Sequence, residues 1–290
     1  MYFCVINIAA MRQELAISFK ITNWCNLNCA HCCECSNCHC APNFMPLEKF
    51  DNYLSESRTL PFIPNELFCI GGGEAMAPYM HKNPNYIPCA LDLVYSYKYV
   101  PTIKTNGTWG QDETLRKKIL SDISAKAYKY EKLVTLDISV DEFHNNLDGV
   151  AKIIRDIMGS SELCYAIRFC LVGFNTSGSI KALNCLQQKL QESGFNIQKT
   201  LANDWMIDAP NADCGIYVCN DYTSNIYDLG RAKQTKVYNC EYGTGLIKTT
   251  DCLQIDNEDN AILNYLYREK INKRPLNEVF NSLMQQQEHR

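Results

Sequence analysis

Cys25-Asn26-Leu27-Asn28-Cys29-Ala30-His31-Cys32 sets three thiols at a Cys-x3-Cys-x2-Cys spacing. Thiolates are the usual ligands of cubane iron–sulfur clusters, and a loop this compact can bring three of them to three irons of one cubane. With no fourth ligand in the loop, the remaining iron stays open to a substrate or cofactor. A zinc knuckle is the competing reading, although structural zinc sites more often use paired Cys-x2-Cys elements. Behind the triad crowd Cys33, Cys35, Cys38 and Cys40, interleaved with His31 and His39. They leave open a second metal, an accessory thiol or hydrogen donor at Cys33, or a Cys-rich loop that binds nothing.

The chain holds 17 cysteines in 290 residues, an odd number in a protein too large to need disulfide staples. Met1–Met11 is mildly apolar but lacks a basic n-region and a small-residue cleavage site, so no signal peptide is expected. Met11 serves as a start as well as Met1 does. No apolar run is long enough to span a bilayer. The expectation is a cytoplasmic protein, in which clustered thiols are metal ligands and scattered ones are small buried hydrophobes. A net charge of −4 argues against an electrostatic grip on nucleic acid or on a membrane surface.

The elements that must position the cysteines follow a strand-then-helix rhythm. Strands are expected over residues 15–22, 66–70, 101–104, 132–140, 163–172 and 195–201. Helices are expected over 47–60, 85–99, 112–128, 145–158 and 179–192, with Pro46 suited to a helix start and Gly194 to a helix end. Six alternating units imply parallel βαβ connections, and the chain is short for eight of them. The fold class is therefore α/β, a partial TIM-like (β/α)6 barrel over residues 12–202 with a short C-terminal extension over 203–290. Chemistry in such folds gathers at the carboxyl ends of strands. The cysteines follow the first strand, Gly71-Gly72-Gly73 the second and Thr105-Asn106-Gly107 the third, while Ser139 and Asp141 end the fourth.

These motifs, in this order, resemble those of the radical S-adenosylmethionine (SAM) superfamily. The Cys25–Cys29–Cys32 spacing is similar to the family's cluster signature, with His31 where an aromatic residue usually stands. Gly72-Gly73-Glu74 resembles the glycine–glycine–glutamate element whose backbone meets the SAM amino group, although Ala75 replaces the proline that often follows. Thr105-Asn106-Gly107 and Ser139-Val140-Asp141-Glu142-Phe143-His144 look like strand-end sequences of peptide-modifying members. By that resemblance Asn106, Ser139 and Asp141 reach the SAM ribose and methionine, Arg168 its carboxylate and Asn175 its adenosine. Read on residue type alone, Asn106-Gly107 is a turn, Asp141 a helix cap and Arg168 a surface ion pair. His144 is a base or a structural histidine at a helix start.

The resemblance spans residues 15–235 and includes Gly230-Arg231-Ala232, a glycine–arginine–alanine element of such relatives. Many of them carry an auxiliary-cluster (SPASM-like) extension. Here Cys214, Cys219, Cys240 and Cys252 could hold one further cluster, but the cysteine expected after the strand at Cys252–Asp256 is missing, which favours a degenerate extension. Lys270–Arg290 reads as a charged helix.

What the resemblance implies is an enzyme with a [4Fe–4S] cluster, reduced by a flavodoxin or ferredoxin, that cleaves SAM to a 5′-deoxyadenosyl radical. That radical abstracts hydrogen from a substrate. A ribosomal peptide undergoing crosslinking or epimerisation is the first expectation, and a small metabolite the second. The reading from another class is a zinc-binding interaction module built on the Cys32–Cys40 cluster.

Overall fold

Leu15–Lys20 alternates apolar residues and buries Ile17 and Phe19 completely, so it forms a strand, β1, inside the molecule. The computed structural model describes residues 15–60, 64–200, 204–208, 216–224, 234–236, 251–263 and 267–288. After β1 come the cysteine loop and α1 (Leu47–Ser57), then β2 (Pro64–Gly71), α2 (Ala77–Met80), α3 (Tyr86–Ser96) and β3 (Val100–Thr105). A 3-10 turn and α4 (Glu113–Lys129) precede β4 (Val134–Ser139). They are followed by α5 (Leu147–Met158), α6 (Ser161–Ala166), β5 (Ile167–Phe174) and α7 (Ser177–Glu192). β1 to β5 pair in sequence order, all parallel. Ile70, Ile103, Leu136, Ile138 and Leu171 are fully buried in this sheet, as strands covered by crossover helices require.

Two expectations are corrected here. The segment 195–201 is not the sixth parallel strand. Instead β6 (Asn196–Lys199) pairs antiparallel with β7 (Trp205–Asp208), which pairs antiparallel with β8 (Ile216–Ser224), and it is β8 that lies parallel to β5. Only residues 200–204 separate β6 from β7, and Thr200 N–H donates to Asp204 O at 2.9 Å. A connection that short can join only antiparallel neighbours. The second correction concerns 163–166, which is helical: Ser160 Oγ accepts from Leu163 N–H at 3.3 Å, and this cap starts α6 before β5 begins at Ile167.

On the other side of β1 lies β9 (Asp251–Asp256), parallel to it over its whole length. β10 (Asn260–Leu263) and β11 (Tyr267–Lys270) extend that edge antiparallel, and a helix over Leu276–Glu288 follows. The expected terminal helix thus starts later than Lys270, which belongs to β11. The sheet order is β11-β10-β9-β1-β2-β3-β4-β5-β8-β7-β6. The result is a mixed sheet flanked by helices, in keeping with a partial (β/α) architecture; among the described residues no pairing closes it into a barrel. No helix among them is long and apolar enough to cross a membrane.

Candidate functional site

The chain leaves β1 and folds its cysteines back over the sheet. Trp24 bridges Asn37, Cys25 N–H donates to Asn37 O at 3.2 Å, and Cys32 N–H donates to Cys29 O at 3.2 Å. That turn brings Cys25, Cys29 and Cys32 to one cavity of about 240 Å³, which Gly71, Gly72, Gly73, Asn106, Ser139 and His144 also line. Four consecutive strand ends therefore meet at one place. Cys25 is buried, and its Sγ accepts from Leu27 N–H at 3.4 Å and Asn106 Nδ2 at 3.7 Å. Burial, reinforced by the Glu74 carboxylate, pushes the Cys25 thiol up to about 12. The bare thiol is thus protonated at neutral pH, and a metal cation is what would turn it into a thiolate.

The glycine turn is locked to this loop. Gly72 (φ +75°) and Gly73 (φ +45°) are left-handed, and an added Cβ would lie 1.9 Å from Lys20 Cγ and 2.1 Å from Trp24 O, respectively. The close neighbours that exclude a side chain here are the chain's own β1 and cysteine loop. Glu74 N–H donates to Trp24 O at 2.9 Å. The Glu74 side chain is fully buried and turned into the fold. It accepts from Met76 N–H (2.8 Å), Thr105 Oγ1 (2.5 Å) and Asn106 N–H (2.8 Å). Burial raises its pKa, and those three bonds oppose the rise. Its role in the structure is to fix the end of β3 beneath the cavity.

Asn106 Nδ2 also donates to Asn26 Oδ1 at 2.8 Å, tying β3 to the cysteine loop. Asn146, fully buried, donates from Nδ2 to Ser139 O at 2.7 Å and to Asn106 O, joining the ends of β3 and β4. Asp141 is buried and its Oδ1 accepts from Phe143 N–H and from His144 Nδ1, each at 2.8 Å. Burial opposes a charge on His144, but hydrogen bonds with Asp141 and Cys29 outweigh it and hold the imidazolium up to about 10. His31 packs among Phe143, Phe174 and His144, with ring centroids 4.4, 4.9 and 5.3 Å away. Asp141 therefore caps no helix, since α5 starts only at Leu147 after Asn146; it closes a turn over Phe143 and His144 and is the partner of a histidine on Cys29.

Other expected residues lie elsewhere. Arg168 is exposed and stands opposite Thr135 near the amino ends of β5 and β4, away from the cavity. Asn175 follows the carboxyl end of β5 but opens onto a separate surface groove along α7. Cys33 lines the cavity; Cys35 is half-buried at φ +53°, Cys38 is exposed and Cys40 half-buried. A tetrahedral zinc site holds thiolate sulfurs about 4 Å apart. Among the described residues the cysteines of Cys32–Cys40 form no such group, and the trio whose candidate ligand atoms do lie within 4.8 Å of one another is His31, Asp141 and His144. Cys219 is on β8, opposite Cys170, and Cys252 is on β9, opposite Ala16, with β1 to β5 between them in the sheet. Cys214, Cys240 and Gly230-Arg231-Ala232 lie outside the described residues. The scattered thiols are less buried than expected: Cys89 is exposed, and Cys164, Cys170 and Cys185 are half-buried.

Sequence reasoning missed the polar residues Ser18, Glu34, Ser36, Lys104 and Gln254 that line the cavity, and Lys20 that pairs with Glu34. Lys20 Nζ donates to Glu34 Oε2 at 2.6 Å, and Gln254 Nε2 donates to Glu34 Oε1 at 2.8 Å. The one signal was a lysine ending an apolar strand. Nothing local announces a partner 220 positions away.

No family model and no curated protein matches this chain. Among solved structures, native anSMEcpe with bound AdoMet is 18% identical, over 62% of this chain and 49% of that one, with a TM-score of 0.39. Native anSMEcpe with bound AdoMet and Cp18Cys peptide is 18% identical, over 62% and 48%, with a TM-score of 0.36. The chain spans about half the length of these structures, and at such TM-scores the folds overlap only in part.

Proposed function

We propose that this chain is a radical SAM enzyme, with Cys25, Cys29 and Cys32 as the ligands of a [4Fe–4S] cluster and SAM bound in the cavity beside them. The observation that carries the reading is the convergence of four separate sequence motifs on that cavity. Open parallel sheets bind ligands beyond the carboxyl ends of their strands, which is where these motifs stand. The donor set fits the cluster: three thiols from one loop, one of them buried and already receiving N–H donors on its sulfur. When bound, such a cluster supplies the electron that splits SAM into methionine and a 5′-deoxyadenosyl radical, the species that takes hydrogen from a substrate.

The protein's part is to hold and to shield. Hydrogen bonds from Leu27 and Asn106 stabilise negative charge on the Cys25 sulfur and tune the potential of whatever it binds. The His144 imidazolium, oriented by Asp141, sets a positive charge against Cys29. The apolar rings of Phe143 and Phe174 pack against His31 of the loop and keep water from that side of it. On the strand-end signatures Asn106-Gly107 and Ser139–His144 the substrate is a ribosomal peptide. A flavodoxin- or ferredoxin-type donor would supply electrons.

The test is anaerobic reconstitution with iron and sulfide, followed by dithionite and SAM. The wild-type protein is expected to turn brown and to form 5′-deoxyadenosine, and Cys29→Ala to form none. Product at the wild-type rate from Cys29→Ala would refute the proposal, as would a colourless protein holding stoichiometric zinc.

A further inference from the structure

The Asn106 side chain, just past the end of β3, is buried and has every polar hydrogen and its oxygen engaged. Its Oδ1 accepts from Thr108 N–H at 3.0 Å and from Thr108 Oγ1 at 2.7 Å. Its Nδ2 donates to Asn26 Oδ1 at 2.8 Å and to Cys25 Sγ at 3.7 Å. Asn26 Nδ2 in turn donates to Thr108 Oγ1 at 2.7 Å. Asn26, Thr108 and Asn106 thus close a ring of side-chain hydrogen bonds that meets the Cys25 sulfur at one corner.

The ring can run in one direction only. A side-chain amide has a donor end and an acceptor end, and turning it over exchanges them. A backbone N–H cannot turn over, so Thr108 N–H obliges Asn106 to present its oxygen there. Asn106 must then present its nitrogen to Asn26 Oδ1 and to Cys25. Asn26 is left with its own nitrogen toward Thr108 Oγ1, whose hydrogen goes to Asn106 Oδ1. Reversed, Asn106 would set a carbonyl oxygen against the Cys25 sulfur, acceptor against acceptor. Hydrogen bonds in such a ring polarise one another, so removing one member loosens the others.

Cluster sulfurs become more negative on reduction, and an N–H donor on one of them favours the reduced state. We propose that Thr108 is a positioning residue, which holds the Asn106 amide with its N–H toward the Cys25 sulfur and so raises the potential of the cluster bound there. This rests on the radical SAM reading for the cluster and extends it to a residue outside the cavity lining.

Two measurements on the full chain test it, with Thr108→Val, which keeps the shape and loses the hydroxyl, and Thr108→Ser, which restores it. In the metal-free protein, NMR follows solvent exchange of the Asn106 side-chain N–H protons. Exchange in Thr108→Val is expected to be about tenfold faster than in wild type, and in Thr108→Ser within about twofold of it. In the reconstituted protein, a redox titration followed by electron paramagnetic resonance reads the cluster. Thr108→Val should lower the reduction equilibrium constant about threefold, which is about 30 mV more negative for one electron, and Thr108→Ser should restore it. An unchanged potential in Thr108→Val would overturn the proposal even if the urea midpoint fell, since the ring would then be structural only. Unchanged exchange would overturn it as well. If Thr108→Val does not fold, Asn26→Ala, which opens the ring at its other member, is held to the same shift. Failure here is separable from failure of the enzyme reading. A protein that assembles the cluster and cleaves SAM, with both potentials alike, loses only the role of Thr108. A protein that shows the faster exchange but assembles no cluster loses the radical SAM reading, while Thr108 still orients Asn106.

Discussion

A methyl group at Gly73 would sit 2.1 Å from Trp24 O at a φ of +45°, whereas at Gly71 the nearest atom is Lys104 Cβ at 3.5 Å, an ordinary contact. Neighbouring glycines of one turn therefore carry different constraints. Gly73→Ala must move the backbone of the cysteine loop, and is expected to cost more than roughly 2 kcal/mol. Gly71→Ala, with room and no left-handed backbone, is expected to stay within about 0.5 kcal/mol of wild type. Urea midpoints of the two variants check this, and equal midpoints would contradict it. The pair Gly72-Gly73 was legible in the sequence as a glycine element at the end of the second strand. Which atoms forbid a side chain there was not, because Lys20 and Trp24 approach only through the pairing of β1 with β2. The same holds for Asn146: a fully buried amide joining Asn106 O to Ser139 O looks, in sequence, like one more residue of the helix expected over 145–158, whereas it stands just before α5.

Between elements, α3 and α4 are tied by Asp92, which accepts from Lys126 Nζ and, at 2.8 Å, from Lys129 Nζ. Burial would raise the Asp92 pKa, but the two lysine hydrogen bonds prevail and hold it below the usual carboxylate range. A carboxyl whose folded pKa is lowered contributes stability that is present above its unfolded pKa, about 4, and is lost as pH falls through the folded value. Asp92→Asn should therefore lower stability by about 0.5–1 kcal/mol at pH 7, a modest figure because the pair is partly solvated. The difference from wild type should shrink toward zero near pH 2. Denaturant titrations at the two pH values measure it, and a difference that grew on acidification would be inconsistent with the pairing. At this scale β1 to β5 were readable from their apolar and β-branched composition and the turn residues that bound them. Leu163–Ala166 was not: four apolar-leaning residues fit a helix or a strand, and the Ser160 cap decided. Nor was β6, whose strand character was plain but whose partner, β7, depended on a connection of only five residues rather than on its own composition.

For the whole molecule the consequential feature is that the chain after residue 250 completes the sheet that carries the site. β9 pairs with β1 from Leu15 to Lys20, on the strand that launches the cysteine loop. Leu253, Ile255, Leu263, Phe280 and Leu283 are fully buried. α1 is held from the same side: Lys49 and Tyr53 both donate to Asp259, and Glu56 Oε2 accepts from Leu276 N–H at 2.6 Å. Each fully buried large apolar side chain contributes about 1.5–3 kcal/mol, so these five together rival the roughly 5–15 kcal/mol by which a domain is stable at all. Ending the chain at residue 250 also bares the β1 edge, a template for association. Such a chain is expected to lose cooperative unfolding and to aggregate, and with Gln254 gone it loses one wall of the cavity. Urea unfolding followed by circular dichroism, beside the intact chain, is the measurement. A shortened chain that unfolded cooperatively at the same midpoint would mean that residues 251–288 are an appendage. The contacts of β9 with β1, and of Asp259 with α1, argue that they are part of the core.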